Sequence, residues 1–197
     1  MADPVIIVDY DPAWPARFAA EAEALLRSLG GAHGLEHIGS TAVPGLAAKP
    51  VIDILLAVDD AALLETTGEE QAVPGEGKPI TPAGEPAHVA LVQAIASCDF
   101  TYRGVNGLPG RLYFFRHGSA SAHVHVAQRD SWFVHDQLLF SDWLRAHPDD
   151  AARYEALKRG LAGRFRDDRV AYTNAKSDFI RDVLLRAGGV GPWLGET

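Results

Sequence analysis

Asp53, His123 and His125 are the residues of this 197-residue chain whose types and spacing most directly suggest chemistry. Asp53 is the one acid in VIDILLAV, Val51 to Val58, a run that otherwise reads as a buried strand. A carboxylate in such a strand is costly unless it is paired, hydrogen-bonded or bound to a cation. His123 and His125 stand two apart in another strand-like run, so both rings face one way. One carboxylate and two imidazoles are the donor set of a transition-metal site. The same histidines can instead contact phosphate or work as acid and base. A purely structural reading also stands: Asp53 paired with Lys49 or an arginine, and the histidines packed among aromatic neighbours.

Upstream of Asp53 lies Gly39-Ser40-Thr41, at the end of one strand and before a turn through Pro44-Gly45. Such a junction leaves backbone N–H groups aimed outward beside hydroxyls, which suits a phosphate. It is equally the composition of a plain turn. Arg111 lies in a hairpin, and a guanidinium fork such as its own matches phosphate and carboxylate. Arg103 and Arg116 flank the same hairpin. Tyr154/Lys158 and Tyr172/Lys176 are each four apart, hence on one helical face. Tyr154, Leu157, Leu161 and Phe165 form an apolar stripe, so Lys158 reads as a core residue with a snorkelling head. Lys176 has the polar Asn174 and Ser177 near it, and a solvated helix face is as natural a reading of it as a polar site. Glu36 and His37 point to opposite faces of their strand, and His37 is the one expected to face the cleft.

The elements that must position these residues follow from periodicity. Val5 to Val8 reads as a short strand, and Trp14, Phe18, Ala22, Leu25 and Leu29 recur at helical spacing, with Asp11 as cap, Pro12 at the first position and Gly30-Gly31 as the stop. Strands are expected at 35–38, 51–58, 100–103, 111–117 and 122–127, and a short helix at 88–98. Three helices are expected near 131–146, 150–166 and 170–187. Residues 66–87, rich in Gly, Pro, Thr and Glu, read as a mobile surface loop. The organisation is one domain over 1–197, its sheet-containing part about 1–128 and its helical part about 129–197.

Composition narrows the function classes. A net charge of −8 argues against nucleic acid as a partner, yet allows a small anion in a local positive pocket. With Cys98 as its single cysteine the chain can form no internal disulfide, which fits the cytoplasm. No apolar run is long enough to span a bilayer, and MADPVIIVDYDP lacks the basic region of a signal peptide, so no membrane association is expected.

EHIGSTAVPGLAAKP running into VIDI, Tyr102-Arg103-Gly104 through Gly110-Arg111-Leu112-Tyr113-Phe114, His123-Val124-His125-Val126, and the two Tyr/Lys pairs resemble the GrpB family, within the nucleotidyltransferase-fold superfamily. The resemblance spans nearly the whole chain except 66–87. It implies an α/β (α+β) fold: a nucleotidyltransferase-like mixed β-sheet with flanking helices and a helical C-terminal section. It implies a nucleotide or other phosphorylated small molecule as ligand, contacted by Gly39, Ser40, Thr41, Lys49, Arg111 and Lys176. In active members of the superfamily a Gly-Ser precedes a strand bearing an acid, one apolar residue and a second acid, and these hold magnesium during nucleotidyl transfer. Twelve residues separate Ser40 from Asp53, as that pattern asks, but Leu55 stands where the second acid belongs. Three readings follow: nucleotidyl transfer with magnesium or manganese; a metal-dependent enzyme of another class with a transition metal on Asp53, His123 and His125; and a non-catalytic accessory domain, since the resemblance extends to domains fused to dephospho-coenzyme A kinases.

Overall fold

Apolar runs bounded by turn residues pair into one five-stranded sheet in the computed structural model, which describes residues 4–31, 34–67, 70 and 80–194. The strands are β1 (Gly34–Ile38), β2 (Ile52–Val58), β3 (Thr101–Tyr102), β4 (Arg111–Arg116) and β5 (Ala122–Gln128). Their order is β1-β2-β5-β4-β3, with β2 and β5 parallel and every other neighbouring pair antiparallel. β2 is central, which explains its nearly unbroken apolar sequence: a strand covered on both faces has no use for alternation. In the register Asp53 sits between Ile38 and His123, and Leu55 between Glu36 and His125.

One sheet face carries Ile54, Leu56, Leu112, Phe114, Val124 and Val126 into the main core, where α1 (Trp14–Leu29) and α2 (Pro86–Ala96) cover them. On the opposite face Leu55, Ala57 and Ala127 pack beneath Phe133 and Val134 of α3 (Trp132–Ala146). Full burial of a residue such as Leu55 stabilises by about 1.5–3 kcal/mol. α4 (Pro148–Arg164), α5 (Arg169–Asn174) and α6 (Ser177–Ala187) complete the C-terminal section. There Leu144 and Tyr154 meet Val43 and Leu46, so the Pro44-Gly45 turn is held by the helices it faces. A cleft results between the sheet end bearing Asp53 and the helical section.

Several expected boundaries shift for identifiable reasons. Val5 to Val8 makes no strand; one bridge joins Val8 to Ala48, while Val5 N–H turns to the Arg166 carbonyl. Asp11 accepts from Ala13 N–H at 2.9 Å in the turn before α1, so the helix starts at Trp14 with Pro15 in its first turn, and Gly30 ends it in a left-handed conformation as expected. The helix expected over 170–187 is two: the chain tightens at Ala175-Lys176, where Lys176 N–H bonds to Thr173 three residues back. Lys176 therefore opens α6 instead of lying inside a continuous helix. Of the stretch expected to be a mobile loop, 68–69 and 71–79 lie outside the described residues, and Pro86 already begins α2. Glu70 is buried and anchored by His88 Nε2 at 2.8 Å, the Tyr102 hydroxyl at 3.1 Å and Thr67 N–H at 3.1 Å. No helix among the described residues is long and apolar enough to cross a membrane.

Candidate functional site

Parallel pairing of β2 and β5 places Asp53 directly beside His123, and the strand period brings His125 to the same face. The His123 Nδ1 to Asp53 Oδ1 distance is 2.8 Å, and His125 Nε2 lies 3.8 Å from the same oxygen. Burial alone would raise the Asp53 carboxyl; hydrogen bonds and charge from both histidines outweigh it and hold the group well below the usual carboxylate range. The lone acid finds its hydrogen-bond partner on β5, not in Lys49 or an arginine.

Arg111 stands behind the histidines. Its Nη1 donates to His125 Nδ1 at 3.2 Å, and Nη2 donates to the carbonyls of Val105 and Asn106 at 3.0 and 3.4 Å. A guanidinium is only a donor, so His125 Nδ1 must accept and its ring proton sits on Nε2, directed at Asp53. Burial first, and the Arg111 charge after it, lower the His125 pKa to about 4 against the pull of the Asp53 hydrogen bond. Arg111 is thus buried in the wall and does not line the cavity, contrary to its expected role in the pocket.

Gly39 explains why the Gly-Ser turn belongs to this constellation. Its backbone sits at φ 72°, ψ −170°, a region open essentially to glycine, and a Cβ there would fall 2.6 Å from Asp53 Oδ2. The turn that follows, Ser40–Ala42, is a single 3-10 turn. Thr41 donates its hydroxyl proton to the Val51 carbonyl (3.2 Å), and so accepts from His37 Nε2 (3.0 Å). His37 stacks on Phe18 of α1, with ring centroids 4.8 Å apart, and faces away from the cleft. It was expected to face inward; alternation separates His37 from Glu36 but does not say which side of the sheet holds the cleft. Glu36 is not there either, lying on the outer rim beside Arg129 and His135.

Asp53, His123, His125, Gly39, Ser40, Thr41, Lys49 and Lys176 line one cavity of about 320 Å³. Tyr154, Lys158, Tyr172 and Gln137 complete it from the helices. Lys158 donates to the Ala47 carbonyl and lies over the Tyr154 ring, 4.8 Å from its centroid. Lys176 and Lys49 approach the Tyr172 ring at 4.6 and 5.7 Å from its centroid. Burial and the neighbouring Lys176 charge lower the Lys158 ammonium to about 7, while burial and Lys49 lower Lys176 to about 8. Lys49 is lowered too, by burial first. Lys158 and Tyr154 are the site residues that sequence reasoning placed in the core. The signal for them was present: Tyr-x-x-x-Lys occurs in α4 as it does at Tyr172/Lys176, and the two pairs face each other across the cavity.

A mixed five-stranded sheet flanked by helices, with a polar cavity at one sheet end, defines a protein of the α+β class. The chain belongs to the GrpB family: the sequence profile described as GrpB protein matches residues 4–71 and 82–186. It is 39% identical over 195 residues to a UPF0157 protein of Pseudomonas aeruginosa, covering 94% of this chain and 68% of that one. It resembles the crystal structure of the conserved protein GrpB from Enterococcus faecalis with a TM-score of 0.73 and 32% identity, covering 92% of this chain and 96% of that one. It is also 34% identical over 201 residues to a protein of Mycolicibacterium paratuberculosis named dephospho-CoA kinase, covering 93% of this chain but 46% of that protein.

Proposed function

We propose that this protein binds a phosphorylated small molecule, of nucleotide type, in the cavity between the sheet end and the C-terminal helices. The observation that carries this reading is the convergence of Lys49, Lys158 and Lys176 on a cavity whose one carboxylate, Asp53, is already engaged by His123. Burial, and after it the charge of a neighbouring lysine at Lys158 and Lys176, disfavours these ammonium groups more than Asp53 and Glu155 favour them; an anion among them offsets that cost. Ser40 and Tyr154 line the same space and offer uncharged hydroxyl groups. Relatives named dephospho-CoA kinase support a nucleotide-type ligand.

Two-metal nucleotidyl transfer draws no support from β2. Leu55, where a second carboxylate would stand, is fully buried under Phe133 and Val134, and an acid there would lie in the core. The reading is therefore of ligand binding within the nucleotidyltransferase superfamily frame, with the hydrogen-bonded Asp53–His123 pair facing the ligand.

A metal is the second reading, because one ligand atom each from Asp53, His123 and His125 lies within 4.8 Å of the others. The donor set suits a transition-metal dication. Its surroundings do not: a metal-bound imidazole turns its other N–H toward an acceptor, and Arg111 presents a donor to His125 Nδ1. The trio fits an internally hydrogen-bonded acid–imidazole network better than a cation cage. Calorimetric titration with nucleoside triphosphates, with and without magnesium or manganese, tests the first reading. Binding should persist without metal and weaken at least tenfold in Lys158→Gln and Lys176→Gln; absence of heat under every condition sinks it. Equal elemental content in the parent and a His123→Ala/His125→Ala variant excludes the second.

A further inference from the structure

The cleft continues past the cavity just described. Lys49, Val51 and His123 also wall a second cavity of about 360 Å³, on the side of the β4–β5 turn and the start of α5. No acid lines it among the described residues: Lys49, Arg116 and Arg169 supply three cations, with the His117 and His123 rings beside them. Arg116 is committed, to Glu21 and to the carbonyls of Cys98 and Ala120. Arg169 is not: among the described residues no hydrogen bond or ion pair engages its guanidinium, and it is half-buried. Its charge is felt at Lys49, the cation the two cavities share. The chain carries a net charge of −8, so this local excess of positive charge is no by-product of a basic composition. Asp53 offsets part of the Lys49 charge from the first cavity, but no acid among the described residues lines the second cavity beside Arg169, so an anion there would meet the guanidinium directly.

We propose that the ligand carries two separated anionic groups, one held by Lys158 and Lys176 in the first cavity and the other by Arg169 in the second, with Lys49 between them. The chemical class is a small molecule phosphorylated at two positions. This rests on the anion-binding reading of the first cavity and adds the second subsite to it. Ile6, 50% exposed, lines the second cavity and gives the linking part of such a molecule an apolar surface to cross.

The probes are linear alkanediol bisphosphates with three to six carbons and the matching monophosphates, titrated calorimetrically into the parent protein, Arg169→Gln and Lys158→Gln. One bisphosphate should bind the parent at least tenfold more tightly than its monophosphate. Arg169→Gln should erase that difference and leave the monophosphate unchanged, whereas Lys158→Gln should weaken both. Arg169→Lys should recover part of the difference, which separates loss of charge from loss of fold. If every bisphosphate binds like its monophosphate, or Arg169→Gln weakens both alike, the second subsite is overturned while the first cavity's role stands. If neither kind of probe binds, both fall together.

Discussion

Gly39 and Asp53 are held in contact that a single methyl group would break. At φ 72° the backbone already excludes most side chains, and the carboxylate occupies the place a Cβ would take. Gly39→Ala should therefore destabilise the fold by about 2–3 kcal/mol through strained backbone and a displaced Asp53. Urea unfolding measures the loss, and Gly45→Ala is the comparison, since its left-handed φ of 81° carries strain but its Cβ would meet nothing. If the two substitutions cost the same, the contact with Asp53 adds nothing. Arg111 shows a different residue-scale effect: it acts on the cavity only through His125, fixing which nitrogen holds the proton.

α4 brings a lysine into an apolar setting, and its stability carries the cost. The Lys158 ammonium is lowered from 10.5 to about 7, so the folded state disfavours the charged form, and that penalty grows as pH falls from 10.5 toward 7. Lys158→Met keeps the packing against Tyr154 and removes the charge. It should raise the unfolding temperature by a few degrees near pH 7, less at pH 9.5, while phosphate-type ligands bind at least tenfold more weakly. Thermal unfolding at the two pH values and calorimetry together check it; a variant less stable at pH 7 than at pH 9.5, each relative to the parent, contradicts the account. The strands and the first helices were legible in the sequence because alternation and helical spacing are set by which face is buried. Asp53, His123 and His125 were legible because a lone acid in a central strand demands company and His-x-His offers it. Lys158 was hidden by its own stripe of apolar neighbours, and the break at Ala175-Lys176 has no glycine or proline to announce it. His37 was misread because strand alternation tells two faces apart without naming them.

At the scale of the whole molecule, two neutral histidines tie stability to acid. Burial lowers both His37 and His125 from 6.5 to about 4, with Asp53 opposing in each case. A depressed histidine is charged more readily in the unfolded chain, so its contribution is complete above 6.5 and is lost as pH falls from 6.5 to about 4. Unfolding free energy should drop across that window with a slope of up to about 2–3 kcal/mol per pH unit, the limit for two protons. His37→Gln should flatten the slope by as much as half, measured by urea titrations at half-unit intervals; an unchanged slope removes His37 from the account.

Glu70 and Ile80 are both buried, on either side of Tyr102: Val105 N–H bonds to the Glu70 carbonyl, and Ile80 N–H bonds to the Tyr102 carbonyl. The GrpB profile breaks off at 71 and resumes at 82, so the family match loses its continuity where these two anchors take over. Glu70 and Ile80 are therefore each tied to the core independently of the number of residues that separate them in the sequence. Eight added Gly/Ser residues at position 75 should shift the unfolding temperature by no more than a degree or two, since closure entropy grows only slowly with the number of residues between two fixed points. The same eight residues placed in the Pro44-Gly45 turn, which α3 and α4 grip, should unfold it. Two anchored ends thus mark the place in this chain where added length should cost the fold least.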